Sequence, residues 1–79
     1  MALKLLGKMR PGEKGKIARI RGKPDMHRGL SRMGLAIGRF ICVENSSSFT
    51  DVCPIVVSIG RSTLFVNLTE AANVYVDVT

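Results

Sequence analysis

Arg28-Gly29-Leu30-Ser31-Arg32-Met33-Gly34-Leu35-Ala36-Ile37-Gly38 is the stretch whose reading decides the fold. Met26, Leu30 and Met33 recur at i, i+4 and i+7, which places them on one face of a helix. His27, Arg28 and Arg32 fall off that stripe. Asp25 stands where an N-cap belongs, its carboxylate able to accept from the free N–H groups of the first turn. The expected helix therefore covers about Asp25–Met33. Gly34 follows as the stop, because glycine alone enters the left-handed cap conformation without penalty. Gly38 supplies a second flexible point before Arg39-Phe40-Ile41-Cys42-Val43, a strongly β-prone run. A helix this short is not stable in isolation, so it must lie on a sheet, with Leu30 and Met33 buried and Arg28 and Arg32 exposed.

Working outward, Pro11-Gly12 marks a turn, with proline presetting φ and glycine tolerating the positive φ that follows. Gly15–Arg21 reads as a first strand. Ile17 and Ile20 are three residues apart, so both face inward only if a bulge or sharp twist falls near Arg19. The second strand, about Arg39–Glu44, is apolar on both faces and so expects cover on both sides. Asn45–Ser48 is a polar loop leading past Phe49. Pro54 then opens a third strand in which Ile55, Val57 and Ile59 alternate with Val56 and Ser58. Gly60-Arg61 is a tight hairpin signal. Leu64, Val66 and Leu68 alternate through a fourth strand. Thr69–Asn73 reads as one helical turn capped by Thr69, and Val74, Val76 and Val78 alternate through a fifth strand. The expected architecture is mainly β: a small, partly open barrel of about five strands. One short helix lies between the first two strands, and a helical turn precedes the last.

Seventy-nine residues imply one domain, here 1–79, near the lower limit for folding without covalent staples. No apolar run has the length to span a bilayer. The opening Met1–Leu6 is too short and too interrupted by Lys4 for a secretory leader, so the expected compartment is the cytoplasm. Cys42 and Cys53 show no ligand spacing and are expected to be reduced thiols there. The strands about 39–44 and 55–59, paired as a hairpin, would bring these two thiols near each other.

The net charge of +6 is unevenly spread. Residues 1–40 carry eleven Lys and Arg against Glu13 and Asp25, whereas residues 41–79 carry Arg61 against Glu44, Asp51, Glu70 and Asp77. A basic first half suits a negative partner: nucleic acid, anionic lipid or an acidic protein face. An enzyme needs a nucleophile, base or metal placed by partners, and no such set assembles. His27 stands alone, and Gly60-Arg61-Ser62-Thr63 lacks the glycine spacing of a phosphate loop. His27, Cys42, Cys53, Asp25, Glu44 and Asp51 are the available metal ligands, and their spacing forms no site. No catalytic residue, metal site or cofactor is therefore expected.

The order and spacing of several short motifs resemble the FeoA family of small ferrous iron transport proteins. Gly12, Ile17 and Ile20 are similar to its opening. Leu30, Met33, Gly34, Leu35 and Gly38 are similar to its central pattern, and Ile41 and Val43 fill the β positions that follow. Pro54, Ile55, Val57, Ile59 and Gly60, and then Ala71, Val74 and Val76, are similar to its later segments. Ile37 stands where the family often has proline. Phe65-Val66-Asn67 replaces its usual Leu-Arg, and the run from Gly60 to Ala71 is one residue long.

The resemblance implies an SH3-like barrel and a non-enzymatic accessory role in ferrous iron uptake. It implies contact with the cytoplasmic face of a membrane-bound, GTPase-linked ferrous iron transporter. Basic residues on or near the helix, Lys23, Arg28 and Arg32, with Arg19 and Arg21 on the first strand, are the expected contacts, joined by the Ser46–Thr50 loop. A proline-rich ligand is not expected despite the barrel type, because such grooves need clustered aromatics. The alternative function is a basic small barrel that binds nucleic acid; the cations for it are present, but the aromatics, Phe40, Phe49, Phe65 and Tyr75, are few and scattered. A weak homodimer is left open.

Overall fold

The computed structural model describes residues 2–45 and 55–79. Cys53, Pro54, Phe49, Asp51 and the Ser46–Thr50 loop lie outside the described residues. Among the described residues, six antiparallel strands form one open sheet in the order β1-β6-β2-β3-β4-β5. They are β1 (Leu3–Leu5), β2 (Lys14–Ile20), β3 (Phe40–Asn45), β4 (Ile55–Ile59), β5 (Ser62–Val66) and β6 (Val74–Val78). Helix α1 (Pro24–Met33) joins β2 to β3, and the four-residue α2 (Leu68–Ala71) precedes β6. The mainly β fold with a helix between the early strands is as the sequence implies.

The added strand is β1, which pairs with β6 along Leu3↔Asp77, Lys4↔Val76 and Leu5↔Tyr75. Three residues carry too little alternation to be read as a strand, and β1 exists because β6 offers it an edge. A 3-10 turn (Leu6–Lys8) follows and drives Leu6 and Met9 into the core. Arg10-Pro11-Gly12-Glu13 then closes as a turn, with the Glu13 N–H donating to the Arg10 carbonyl at 3.0 Å and Gly12 at φ 91°.

Glu13 fastens that turn. Its Oε1 accepts from Lys4 Nζ at 2.8 Å and from the Arg10 N–H at 2.7 Å. The Lys4 hydrogen bond first, and the Arg10 N–H second, hold the carboxyl below the ordinary glutamate range. A lowered native value means the stabilisation is present above the ordinary glutamate pKa and is lost as pH falls through the lowered one. Glu13→Gln is therefore expected to leave stability at neutral pH slightly reduced and its decline below about pH 4.5 shallower. Urea midpoints measured at a series of pH values check this.

The expected bulge is present. Register along β2 and β6 runs Ile17↔Val76 and then Arg19↔Tyr75, so β2 carries one extra residue at Ala18. That extra residue turns both Ile17 and Ile20 inward. On β3, Ile41 and Val43 are buried, and β4 places Ile55, Val57 and Ile59 beside them. The two-sided cover expected of β3 is not found. Phe40, at its start, is 59% exposed. The β3–β4 pair is the expected hairpin, with Cys42 opposite Ser58. Gly60 and Arg61 form the two-residue connection to β5, with Gly60 at φ 61°.

Helix α1 meets the sheet through Leu30, its one fully buried residue, while Met26 and Met33 are half-buried against the core. Burial of Met33 is thus less complete than its place on the stripe implies. The helix ends in a Schellman arrangement: Leu35 N–H donates to the Leu30 carbonyl at 2.9 Å, and Gly34 N–H to the Ser31 carbonyl at 3.0 Å. Gly34 sits at φ 101°, and Leu30 and Leu35 are both buried beneath it.

Two caps differ from expectation. Pro24 presets the helical φ at the first position, so Lys23 is the N-cap residue and makes no side-chain cap bond. Asp25 lies inside the first turn and pairs with Arg28 instead. For α2 the cap is Asn67, not Thr69. Asn67 Oδ1 accepts from the Glu70 N–H at 2.7 Å, and Glu70 Oε1 accepts from the Asn67 N–H at 3.4 Å. This reciprocal pairing satisfies two orphan donors, which a Thr69 start would leave to water. Leu68 accordingly belongs to α2 rather than to β5.

Candidate partner-binding surface

The bulge in β2 sets Arg19 on the outer side of the sheet, exposed and opposite Tyr75 on β6. Two residues on, Arg21 leaves the strand. Its N–H donates to the Asn73 carbonyl at 2.7 Å, and its Nη1 donates to the Tyr75 hydroxyl at 3.2 Å. Gly22 follows at φ 111°, and the chain turns at once into the helix. Lys23 is exposed, and its carbonyl accepts from the N–H groups of Met26 and His27 at 3.0 and 3.2 Å. Arg19, Arg21 and Lys23 thus belong to one continuous run out of β2, and hydrogen bonds fix its backbone.

On α1, Asp25, Arg28 and Arg32 share the face turned away from the Met26, Leu30 and Met33 stripe. Arg28 and Arg32 are exposed, as expected of residues off the packed side. Arg32 lies in the last turn, where a cation complements the helix dipole. Arg28 differs from the other four because it forms an exposed ion pair with Asp25. That pair lowers the net charge at the helix start without contributing much to stability. The sequence contains the signal for it, an Asp and an Arg at i and i+3.

The structure also gathers residues that sequence spacing leaves apart. In register across four strands stand Leu3, Asp77, Lys16 and Phe40, all on the outer side of the sheet. Lys16 Nζ lies 5.2 Å from the centre of the Phe40 ring. Tyr75 stands one row away, between Arg19 and Arg21. Phe65 is the exposed aromatic on β5. Phe40 and Tyr75 are therefore less scattered than the sequence implies, since the strand order places both next to β2.

Among the described residues, no three of the His, Cys, Asp and Glu side chains gather where they would hold a metal ion. Cys42 is half-buried, and its thiol points toward the Val43 carbonyl at 3.9 Å. No buried side-chain nitrogen or oxygen among the described residues lacks a partner. No helix among these residues is long and apolar enough to cross a membrane.

The FeoA domain model matches residues 4–78. Among solved structures, the crystal structure of an iron uptake regulatory protein (FeoA) superposes with a TM-score of 0.91 at 29% identity, over 99% of this chain and 100% of that one. The solution structure of iron(II) transport protein A from Clostridium thermocellum gives 0.77 at 28% identity, over 94% of this chain and 46% of that one. A manganese-dependent transcriptional repressor carries a similar fold as part of a longer chain, with a TM-score of 0.84 at 25% identity over 94% of this chain and 40% of the repressor. A comparison with curated protein sequences finds no match. With the matched region running from the first strand to the last, and with a solved FeoA structure matching it end to end, the chain belongs to the FeoA domain family.

Proposed function

We propose that this protein is a non-enzymatic accessory of ferrous iron uptake. In this reading it works in the cytoplasm, by direct contact with the membrane-bound, GTPase-linked ferrous iron transporter. The family match over residues 4–78 carries the reading. Relatives named as an iron uptake regulatory protein and as iron(II) transport protein A point the same way. The basic run from Arg19 through Arg21 and Lys23 to Arg28 and Arg32 supplies the contact surface. Its side chains are exposed, and it rests on a helix and strand whose backbones are well satisfied. Surfaces of this kind steer association and set specificity more than they add raw affinity.

The test is reversal of charge on the helix. The Arg28→Glu, Arg32→Glu double variant is expected to fold normally, because both side chains lie off the packed stripe. Loss of the exposed Asp25 pair, the like charges then set along the helix face, and the reversed charge in the last turn each cost about 0.2–1 kcal/mol, too little to unfold the domain. Transporter-dependent iron uptake is expected to fall at least about tenfold, since like charges set against each other across an interface cost several kcal/mol. Circular dichroism and uptake measured on the same variant check both halves. A folded variant with full uptake removes the helix from the contact surface.

A further inference from the structure

Ile37 and Phe40 are 63% and 59% exposed and lie three residues apart at one corner of the molecule. Ile37 occupies the second position of the turn Ala36–Arg39, closed by the Arg39 N–H donating to the Ala36 carbonyl at 3.1 Å, with Gly38 at φ 94°. That turn is pinned to β2 on both sides. Gly38 N–H donates to the Ile17 carbonyl at 2.8 Å, and Ile17 N–H donates to the Arg39 carbonyl at 2.9 Å. The apolar tip is therefore held out by backbone hydrogen bonds, and neither side chain contributes to the core.

Cations surround it. Arg39 lies between the two apolar residues, Lys16 sits over the Phe40 ring, and Lys14 is two positions along β2; all three are exposed. Two carboxylates stand nearby, fewer than the cations. Asp77, opposite Lys16 on β6, accepts from the Ala2 N–H at 3.2 Å, and Glu44, farther along β3, accepts from the Ser58 hydroxyl at 2.8 Å.

We propose that the Ile37–Phe40 corner, with Lys14, Lys16 and Arg39, docks on the surface of an anionic lipid bilayer. The chemistry of the corner matches the two layers of such a surface. Apolar tips enter the boundary between headgroups and acyl chains, and the cations remain at the level of the phosphates. Single-stranded nucleic acid is the weaker fit because it seeks flat aromatic platforms, and the more exposed of these two apolar residues is an isoleucine with no π face. Docking of this corner on lipid does not require the transporter contact. It is therefore tested without a transporter.

Purified protein is to be sedimented with vesicles of phosphatidylcholine, and with vesicles of phosphatidylcholine and phosphatidylglycerol in equal parts. Binding is expected to the mixed vesicles only, and to fall as salt is raised. The Ile37→Ser, Phe40→Ser double variant is expected to keep the native circular dichroism spectrum and to lose at least about tenfold in binding. The Lys14→Gln, Lys16→Gln, Arg39→Gln triple variant is expected to lose about a hundredfold, at about fivefold per cation. The proposal is overturned if the mixed vesicles do not bind at low salt, or if both variants bind like the unmodified protein. It is equally overturned if a single-stranded oligonucleotide binds through Phe40 while the vesicles stay unbound.

Discussion

Leu30→Ala is expected to remove about 2–5 kcal/mol of folding stability, and Leu30→Asp to leave no folded protein. Leu30 has no exposed surface and is the one residue that α1 buries completely. Its carbonyl accepts the bond that closes the helix end, and Leu35, which donates that bond, is buried with it. Truncation opens a cavity at the point where helix, cap and sheet meet. A protein of this size has roughly 5–10 kcal/mol in total, so the alanine variant sits near its limit. A buried aspartate without a partner exceeds it. Urea midpoints for the alanine variant, and the far-ultraviolet spectrum of the aspartate variant, read the two effects.

Gly15→Ala is the second large effect, and it arises in the backbone. Gly15 is buried on β2 between β3 and β6. A Cβ added there would overlap the Asp77 carbonyl oxygen and lie 2.8 Å from Val76 Cγ1. A carbonyl within a strand cannot swing aside like a side chain, so β2 and β6 must part. The expected loss is about 1–3 kcal/mol or more. Faster amide exchange along β6 should accompany it, because β6 holds β1 on its other edge. Gly29→Ala provides the contrast. An added Cβ meets nothing within 4 Å at this helical position, and the substitution is expected to stabilise the protein by roughly 0.5–1 kcal/mol. A Gly15→Ala midpoint that is unchanged or raised would mean that no such clash operates at this position.

Local rules carried much of the fold in the sequence. The Met26, Leu30, Met33 spacing located the packed side of the helix, Gly34 located its end, and the odd separation of Ile17 and Ile20 required the bulge that β2 shows. Where two local rules competed, a single sequence was a poorer guide. Pro24 displaced the start of α1 by one position and left Asp25 to pair with Arg28. Asn67 and Glu70 formed a mutual box that a lone Thr69 could not match. Strand β1 was not legible, because only the open edge of β6 makes Leu3–Leu5 a strand.

The candidate surface divides the same way. Exposure of Arg28 and Arg32 followed from helical periodicity alone. Their relation to Arg19, Arg21 and Lys23 depends on how β2 leads into α1. The neighbourhood of Lys16, Phe40 and Tyr75 depends on a strand order, β6-β2-β3, that no short-range pattern encodes. The exposure of Phe40 was hidden for a related reason. An apolar strand resembles a doubly covered one until the position of the helix is known.

We propose the basic run as a contact surface for the ferrous iron transporter. Its most direct test is a titration of the purified protein against the transporter's cytoplasmic GTPase domain, with and without guanine nucleotide. Saturable binding is expected in at least one nucleotide state. It should weaken as salt rises and weaken at least about tenfold in the folded Arg28→Glu, Arg32→Glu variant. Absence of binding in every nucleotide state, or equal binding by the native protein and the folded charge-reversed variant, would contradict the claim.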